Sequence, residues 1–204
     1  MNLSASLQWS DGRWIWLLGI LVVGAVLLGL GDSAVSALRY DRAAIGAGQW
    51  WRLVSAHAVH ANAHHFVLNA LGLVLVWSLF AAEYGAFEWT LMVALSALAI
   101  GLGLWWFDPQ LQWYVGASGV LHAVMAGGSV KRFTQGQWDR WILAAGLAGK
   151  LAFEQSSQAR GHLLTSGDLP IVIDSHLYGA VAGALIGAAL CARMAIIRKN
   201  PFPL

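Results

Sequence analysis

Six long apolar stretches, each bounded by charged residues, Pro, Gly or aromatic residues, divide this chain of 204 residues. Hydrophobic residues make up 58% of the sequence and charged residues only 11%, whereas a soluble domain carries roughly twice that charge. A helix of roughly 20 residues crosses the hydrocarbon core of a bilayer. We therefore predict an all-α membrane protein, a bundle of six transmembrane helices forming a single domain over residues 1–204. The predicted spans cover about 14–31, 65–82, 88–107, 118–130, 138–155 and 176–197.

The rest of the composition argues against several other classes. The net charge of +2 is small and the basic residues are scattered, so we expect no nucleic acid as a partner. Cys191 is the single cysteine, and no Cys/His spacing typical of structural zinc occurs, so we predict no metal and no cofactor. The first stretch has a second interpretation as a secretory signal peptide, because Ala34-Val35-Ser36-Ala37 resembles a cleavage site; the five later spans disfavour it.

The distribution of Lys and Arg predicts the orientation. An even number of spans puts both termini on one side of the membrane, and the side richer in Lys and Arg is the cytoplasmic one. The terminal side carries Arg13, Lys131, Arg132, Arg140, Arg193, Arg198 and Lys199, against Arg39, Arg42, Arg52 and Arg160 on the other. We therefore expect cytoplasmic termini. Spans two, four and six then begin at the outer face, so their polar first residues should share one layer.

Span four predicts a buried hydroxyl group. It has only about 13 residues between Ser118 and the Lys131-Arg132 pair, which is about 20 Å of helix. If that pair marks the inner interface, Ser118 lies on the order of 10 Å below the outer surface. Such a serine needs a water-filled cavity, and the loop 108–117, with Gln110 and Gln112, would lead to it.

Ser118 and His176 are the candidate catalytic residues. Serine becomes a good nucleophile when a base takes its proton, and histidine is the usual base near neutral pH. The two residues begin spans four and six, and small side chains in both spans permit close helix packing. These small residues are Gly179, Gly183 and Gly187 with Ala180, Ala184 and Ala188, and Gly119, Ala123, Ala126, Gly127 and Gly128. The alternative is an ordinary small-residue interface with an incidental serine and histidine.

Acyl transfer also requires hydrogen-bond donors for the developing oxyanion. The backbone N–H of Ser118 at a helix start is one candidate. His65 and Asn69 are four residues apart in span two and project from one face of that helix. An Asn–His pair that only bonds two helices together is an equally good interpretation.

Two further groups of polar residues have simple structural interpretations. Lys150 and Glu154, at i and i+4 in span five, form an ion pair, although Glu154 is also placed to receive a substrate tail. Three outer-loop histidines suggest a metal cluster by number alone, and we expect them to make structural hydrogen bonds instead. They are His57, His60 and His64.

Taken together, these motifs resemble those of the rhomboid intramembrane serine proteases, in the same order on the same spans. Gly116-Ala117-Ser118-Gly119 matches the nucleophile motif of that family. His176-Leu177-Tyr178-Gly179, with Gly183, matches its catalytic-histidine helix, and the His65 to Asn69 segment matches its H-x-x-x-N oxyanion element. Trp51-Arg52 is similar to the loop before span two in that family. The resemblance implies a Ser–His dyad supported by these glycines, and Asp174, on another helical face from His176, does not complete a triad.

Within that family the chain is most similar to the rhombosortases. The similarity rests on Trp51-Arg52-Leu53-Val54-Ser55, on the run from Ser118 to His122, on Phe153-Glu154-Gln155 and on the shortness of the chain. It implies that the partner is an exported protein anchored in the lipid bilayer by a C-terminal transmembrane tail of Gly-Gly type. It also implies a bacterial inner membrane, with the active site facing the periplasm.

His122 departs from the usual rhomboid pattern, in which an aromatic residue takes the fourth position after the serine. It supports His176, or it is a packing residue bonded to a neighbouring helix, or it competes with His176 as general base. The polar segment 155–174 is predicted to act as a lid. Three other functions stay open: a general rhomboid protease of other single-span substrates, a catalytically inactive rhomboid-like protein that binds membrane helices, and a small transporter.

Overall fold

The computed structural model describes the backbone of residues 13–136, 138–156, 165–166 and 169–199, and the side chains of 14–136, 138–139, 141–156 and 171–196. Helices dominate this part of the chain. They are α1 (Arg13–Gly29), α2 (Asp32–Leu38), α3 (Arg42–Gly46), α4 (Arg52–Ser55), a 3₁₀ turn (Ala56–Ala58), α5 (Ala63–Phe80), α6 (Ala86–Phe107), α7 (Ser118–Gln135), α8 (Arg140–Gln155) and α9 (Asp174–Lys199).

Four two-residue strands join the loops between these helices. β1 (Tyr40–Asp41) pairs antiparallel with β2 (Trp113–Tyr114), with Tyr40 opposite Tyr114. β3 (Thr165–Ser166) pairs antiparallel with β4 (Leu169–Pro170). The first pair ties the loop after α2 to the loop that precedes α7. The predicted lid, 155–174, falls partly on the second pair and otherwise largely outside the described residues.

In the part of the chain that the structure describes, three helices are long and apolar enough to cross a bilayer: α5, α6 and α9. A fourth candidate is the pair α1 and α2, which together meet the same criterion but are bent by 111° at the break between them. The prediction of six spans is therefore met only in part. Helix α8 has 16 residues, or about 24 Å, which is short for a core about 30 Å thick.

Span four differs most from its prediction. Helix α7 has 18 residues, because it continues through Lys131 and Arg132 to Gln135. Lys131 is buried, and the Arg132 guanidinium forms ion pairs with Glu83 and Asp139. The charge of Arg132 is therefore compensated inside the protein, and neither cation ends the helix. Where the inner interface lies along α7, and with it the depth of Ser118, stays a prediction.

Helix α7 occupies the centre of the bundle, in contact with α5, α6, α8 and α9. Its closest partner is α9. A Cβ atom added to Gly179 would overlap the carbonyl oxygen of Gly119, and one added to Gly183 would overlap that of Ala123. The backbones of α7 and α9 thus touch directly, and the first turns of the two helices lie side by side.

The region between α1 and α5 is held by two arginines. Arg42 donates to the carbonyl oxygens of Leu104, Trp105, Asp108 and Leu111, at 2.8–3.0 Å, and so satisfies the C-terminal end of α6. Arg52 is buried and donates to the carbonyl oxygens of residues 36 and 39, each at 2.9 Å. These bonds fix the outer loops that surround the first residues of α7.

Large apolar side chains cover the outside of the bundle. They include Ile15, Leu18 and Val22 on α1, Leu71 and Leu75 on α5, and Val181 and Leu185 on α9. Exposure of this many apolar groups to water is unfavourable, whereas lipid tails solvate them. The surface therefore has the character of a protein that resides in a bilayer.

Candidate active site

Ser118 is the first residue of α7, and the backbone before it is shaped by Gly116. Gly116 has φ of 119°, a conformation that favours glycine, and a Cβ at this position would lie 2.7 Å from Cε1 and Nε2 of His65. Its N–H donates to the carbonyl oxygen of Ala56 at 3.0 Å. The first N–H groups of α7 have no carbonyl partner within the helix, as at any helix start. Gly116 therefore lets the chain turn sharply into α7 with the imidazole of His65 close by.

The structure brings Ser118 and His176 together. Ser118 Oγ lies 2.9 Å from His176 Nε2, a hydrogen-bonding distance. His176 is in the first turn of α9 and only 4% exposed, while Ser118 is partly exposed. The close contact between α7 and α9 at Gly119 and Gly179 sets this separation. A serine bonded to the lone pair of an imidazole is the arrangement from which a proton is transferred during nucleophilic attack.

The second ring nitrogen of His176 faces Glu154. His176 Nδ1 lies 3.0 Å from Oε2 and 3.1 Å from Oε1 of that carboxylate. Glu154 also forms the predicted ion pair with Lys150, so the prediction was incomplete: the carboxylate has a histidine partner as well. Asp174, by contrast, accepts a hydrogen bond from Gln155 at 3.0 Å.

His122 lies one helical turn after Ser118, beside His176. The two imidazole rings are stacked. His122 Nδ1 lies 2.7 Å from the carbonyl oxygen of Ser118, and since a carbonyl can only accept, Nδ1 carries the proton. His122 therefore takes the place of the aromatic residue expected there, with its tautomer fixed by the backbone of the serine itself.

His65 and Asn69 lie on α5, at the side of the site. The side-chain oxygen of Asn62 caps this helix by accepting from the N–H of His65 at 2.8 Å. Asn69 is buried, and its Nδ2 donates to the carbonyl oxygen of His65 at 2.9 Å. Its Oδ1 has no partner among the described residues. Among the described residues, the side chain of Asn69 thus bonds within its own helix rather than to a neighbouring helix.

A cavity of about 230 Å³ opens onto Ser118. Its lining combines the loop before α7, one residue of α5 and the segment just before α9. The lining residues are Ala61, His65, Gln110, Leu111, Gln112, Trp113, Tyr114, Val115, Ser118, Ile171 and Val172. Gln110 and Gln112 line the route to the serine, as the loop sequence predicts.

One group of three potential metal ligands occurs among the described residues: His122, Glu154 and His176, whose ligand atoms lie within 4.8 Å of one another. A metal ion lies in the plane of each imidazole that binds it. Two nearly parallel rings with centroids 4.2 Å apart cannot both point a lone pair at one ion without moving. In addition, both nitrogens of His176 already face protein partners. The group fits a hydrogen-bonded chain better than a metal site.

The three histidines considered as a metal cluster, His57, His60 and His64, do not form one among the described residues. Burial lowers the pKa of His57 to about 4, so this ring is neutral and donates from only one nitrogen. Its Nε2 lies 3.0 Å from the carbonyl oxygen of Ala97, which ties the loop to α6. Burial also lowers the pKa of His60 to about 4, and its ring packs edge-on against His65. His64 is exposed.

Tyr114, which the sequence did not single out, holds the loop before α7 in place. It is buried and donates from its hydroxyl group to the carbonyl oxygen of Gly116 at 2.7 Å. Burial raises the pKa of Tyr114 to about 12, so the donor is retained at any physiological pH. A tyrosine two residues before a glycine is not a sequence pattern that predicts this contact.

The Rhomboid domain family matches residues 47–193, which is most of the chain and includes every residue of the site described above. The chain belongs to the rhomboid family. No curated protein matches it significantly. Rhomboid proteins are intramembrane serine proteases that act on transmembrane substrates within the lipid bilayer, and this rhomboid is a multi-pass membrane protein.

Proposed function

We propose that this rhomboid is an active intramembrane serine protease with Ser118 as nucleophile and His176 as general base. The contact of 2.9 Å between Ser118 Oγ and His176 Nε2, at the end of a cavity, is the observation that carries the proposal. An inactive relative that only binds membrane helices would have no need of this alignment.

The reaction follows from the positions of the two nitrogens of His176. Nε2 takes the proton of Ser118 Oγ as the oxygen forms a bond to the scissile carbonyl carbon. The tetrahedral intermediate collapses when the imidazolium returns that proton to the leaving amine, and the C–N bond breaks. Water or another amine then attacks the acyl-enzyme, again with His176 as base, and Ser118 is released.

The oxyanion requires donors that point to where negative charge develops. The N–H groups at the start of α7 are the first candidates, because a helix start also favours an anion. His65 and the second N–H of Asn69 are the other two candidates, because His65 lines the cavity beside Ser118 and Asn69 is one turn further along α5.

We further propose that α1, α5, α6, α7, α8 and α9 are six spans, with cytoplasmic termini and an active site that faces the periplasm of a bacterial inner membrane. The central position of α7 supports this arrangement, since a helix enclosed by four others needs no apolar surface for lipid. The excess of Lys and Arg on the terminal side supports the orientation.

The substrate we propose is an exported protein whose C-terminal transmembrane tail begins with Gly-Gly, as the similarity to rhombosortases suggests. A peptide bond within a helix is inaccessible until the helix unwinds. Glycine lowers the cost of unwinding by about 1 kcal/mol per residue relative to Ala. Two glycines at the outer interface would therefore present one carbonyl to Ser118 more readily than a continuous apolar helix.

Labelling with a fluorophosphonate or isocoumarin-type serine probe tests the enzyme. An active protease labels at Ser118, and an absence of labelling in folded protein would favour a helix-binding protein instead. For the substrate, a tail led by Gly-Gly and the same tail with Leu-Leu are compared in liposomes, with mass spectrometry of the new C-terminus. We expect strong loss of processing with Leu-Leu. Equal processing, together with efficient cleavage of unrelated single-span proteins, would indicate a general rhomboid protease.

A further inference from the structure

The carboxylate of Glu154 is oriented toward the catalytic centre. Both of its oxygens lie within 3.1 Å of His176 Nδ1, on the opposite side of the ring from Ser118. Ser118, His176 and Glu154 therefore form one continuous chain of hydrogen bonds that joins α7, α9 and α8.

The donors and acceptors in this series of hydrogen bonds determine which atoms carry the protons. A carboxylate can only accept, so the Nδ1 of His176 carries a proton and donates it to Glu154. Nε2 is then left with its lone pair, directed at Ser118 Oγ. When Nε2 takes the serine proton, the new imidazolium has a negative partner at once. We propose that Glu154 is a positioning residue that fixes the tautomer of His176 and stabilises its charged form, an inference that rests on the proposed protease function.

The ion pair with Lys150 does not account for this geometry. The side chain of Lys150 is 47% exposed, whereas that of Glu154 is 5% exposed. An ion pair with one half-exposed member stabilises a buried carboxylate only weakly. Burying the carboxylate is costly unless it is well bonded, and His176 supplies the buried partner. The lysine acts as an outer counter-ion for a carboxylate whose main contact is the histidine.

Other ionisable groups also lie around His176. Those facing it are His122 on α7, His65 on α5, and Glu154 with Lys150 on α8. Asp174 on α9 is bonded to Gln155. Glu154 is the only carboxylate among the described residues that contacts His176 directly.

The test compares the rate constant of fluorophosphonate labelling at Ser118, as a function of pH, in full-length protein reconstituted in detergent. Glu154→Gln keeps the shape of the side chain and removes its charge, Glu154→Asp keeps the charge at a shorter reach, and Lys150→Met removes the outer ion pair only. Melting temperature is measured for each variant.

We expect Glu154→Gln to lower the plateau rate by about 100-fold or more, since removing the carboxylate of a comparable serine–histidine site costs about 10⁴-fold. The acidic limb of its pH profile should move to lower pH, because the imidazolium loses its anionic neighbour. Lys150→Met should keep the wild-type profile and stay within about tenfold of the wild-type rate. Glu154→Asp should recover part of the loss.

Two results would overturn the inference. One is a folded Glu154→Gln protein with the wild-type rate and profile, and the other is an equal effect of Lys150→Met and Glu154→Gln on rate, which would assign Glu154 to the ion pair alone. If Glu154→Gln does not fold, Glu154→Asp decides, because slowing no greater than that of Lys150→Met contradicts the proposal. Failure of wild-type protein to label at Ser118 would instead refute the protease function itself.

Discussion

The imidazole rings of His122 and His176 lie almost parallel, with centroids 4.2 Å apart and 12° between their planes. His122 is in turn held by its Nδ1–H bond to the carbonyl oxygen of Ser118. The ring stacked on His176 is thus bonded to the backbone of Ser118. Stacking restricts rotation of His176 about its side-chain bonds while leaving both of its nitrogens free for Ser118 and Glu154.

Replacing this stacking ring tests its role. His122→Tyr keeps an aromatic surface, so we expect the fold and part of the activity to survive, with a changed pH dependence because one ionisable neighbour of His176 is gone. His122→Ala removes the surface and should lower the cleavage rate further. Cleavage kinetics across pH measure both. A His122→Tyr protein with a wild-type pH profile would show that His122 acts by packing alone.

Removing either member of the Ser–His pair should abolish turnover. Ser118→Ala and His176→Ala each eliminate a necessary step, and the double variant should be little worse than either, because residues that act as a unit are non-additive. Ser129→Ala is a matched control on the same helix, since Ser129 Oγ bonds only back to the carbonyl oxygen of Met125 at 2.8 Å. Near-normal cleavage by Ser118→Ala in liposomes would contradict the assignment.

Asn69→Ala separates catalysis from packing. If the amide supplies an oxyanion donor, the rate should fall by roughly ten- to a thousandfold while other donors remain. The melting temperature should change little, because the hydrogen bond described for Asn69 stays within α5. Cleavage and thermal unfolding are measured on the same preparation. A large drop in melting temperature with intact specific activity would favour a purely structural residue.

Gly183→Ala should be strongly destabilising. The added methyl group would overlap the carbonyl oxygen of Ala123, so α7 and α9 would have to separate, at a cost of roughly 3 kcal/mol or more. The same shift would pull His176 away from Ser118 and lower activity. Gly149→Ala on α8 is the control, because no atom lies within 4 Å of its added Cβ. It should be neutral or stabilising by about 0.5–1 kcal/mol. Equal melting temperatures for the two variants would refute the close contact.

Stability should decrease with acidification. The pKa of His57 is lowered to about 4 by burial, against an ordinary value of 6.5. Between these values the unfolded chain binds a proton that the folded chain does not. The contribution is therefore complete above about pH 6.5 and is lost as the pH falls toward 4. Unfolding midpoints at pH 7.5 and pH 5 should differ, and His57→Gln, whose amide can still donate to Ala97, should reduce that difference. An unchanged difference would assign the effect to other groups.

Much of this site can be predicted from the sequence, because its motifs each lie within one short segment of the chain. A serine and a histidine at the starts of two apolar helices, with glycines every four residues, define both the chemistry and the packing of those helices. Contacts through loops are different. Glu154 and His176 are 22 residues apart, and the polar segment between them gives no hint of where the chain returns. The i, i+4 pairing of Glu154 with Lys150 also offered a sufficient partner, so the histidine was not anticipated.

The Lys131-Arg132 pair in α7 makes tertiary contacts that the charge pattern did not predict. A Lys-Arg pair is a good marker of a membrane interface only if its charges reach water. Arg132 instead pairs with Glu83, in the loop after α5, and with Asp139, in the loop after α7. Such long-range compensation is set by tertiary structure, and periodicity or hydropathy along the chain does not reveal it.

The contact between α7 and α9 also limits how a substrate can arrive. Side chains that line an ordinary helix interface can rotate aside, but here backbone meets backbone at Gly179 and Gly183, and there is nothing to rotate. A helix inserted between these two would separate Ser118 from His176. We therefore expect any opening movement that admits a substrate to be made by the other helices and loops.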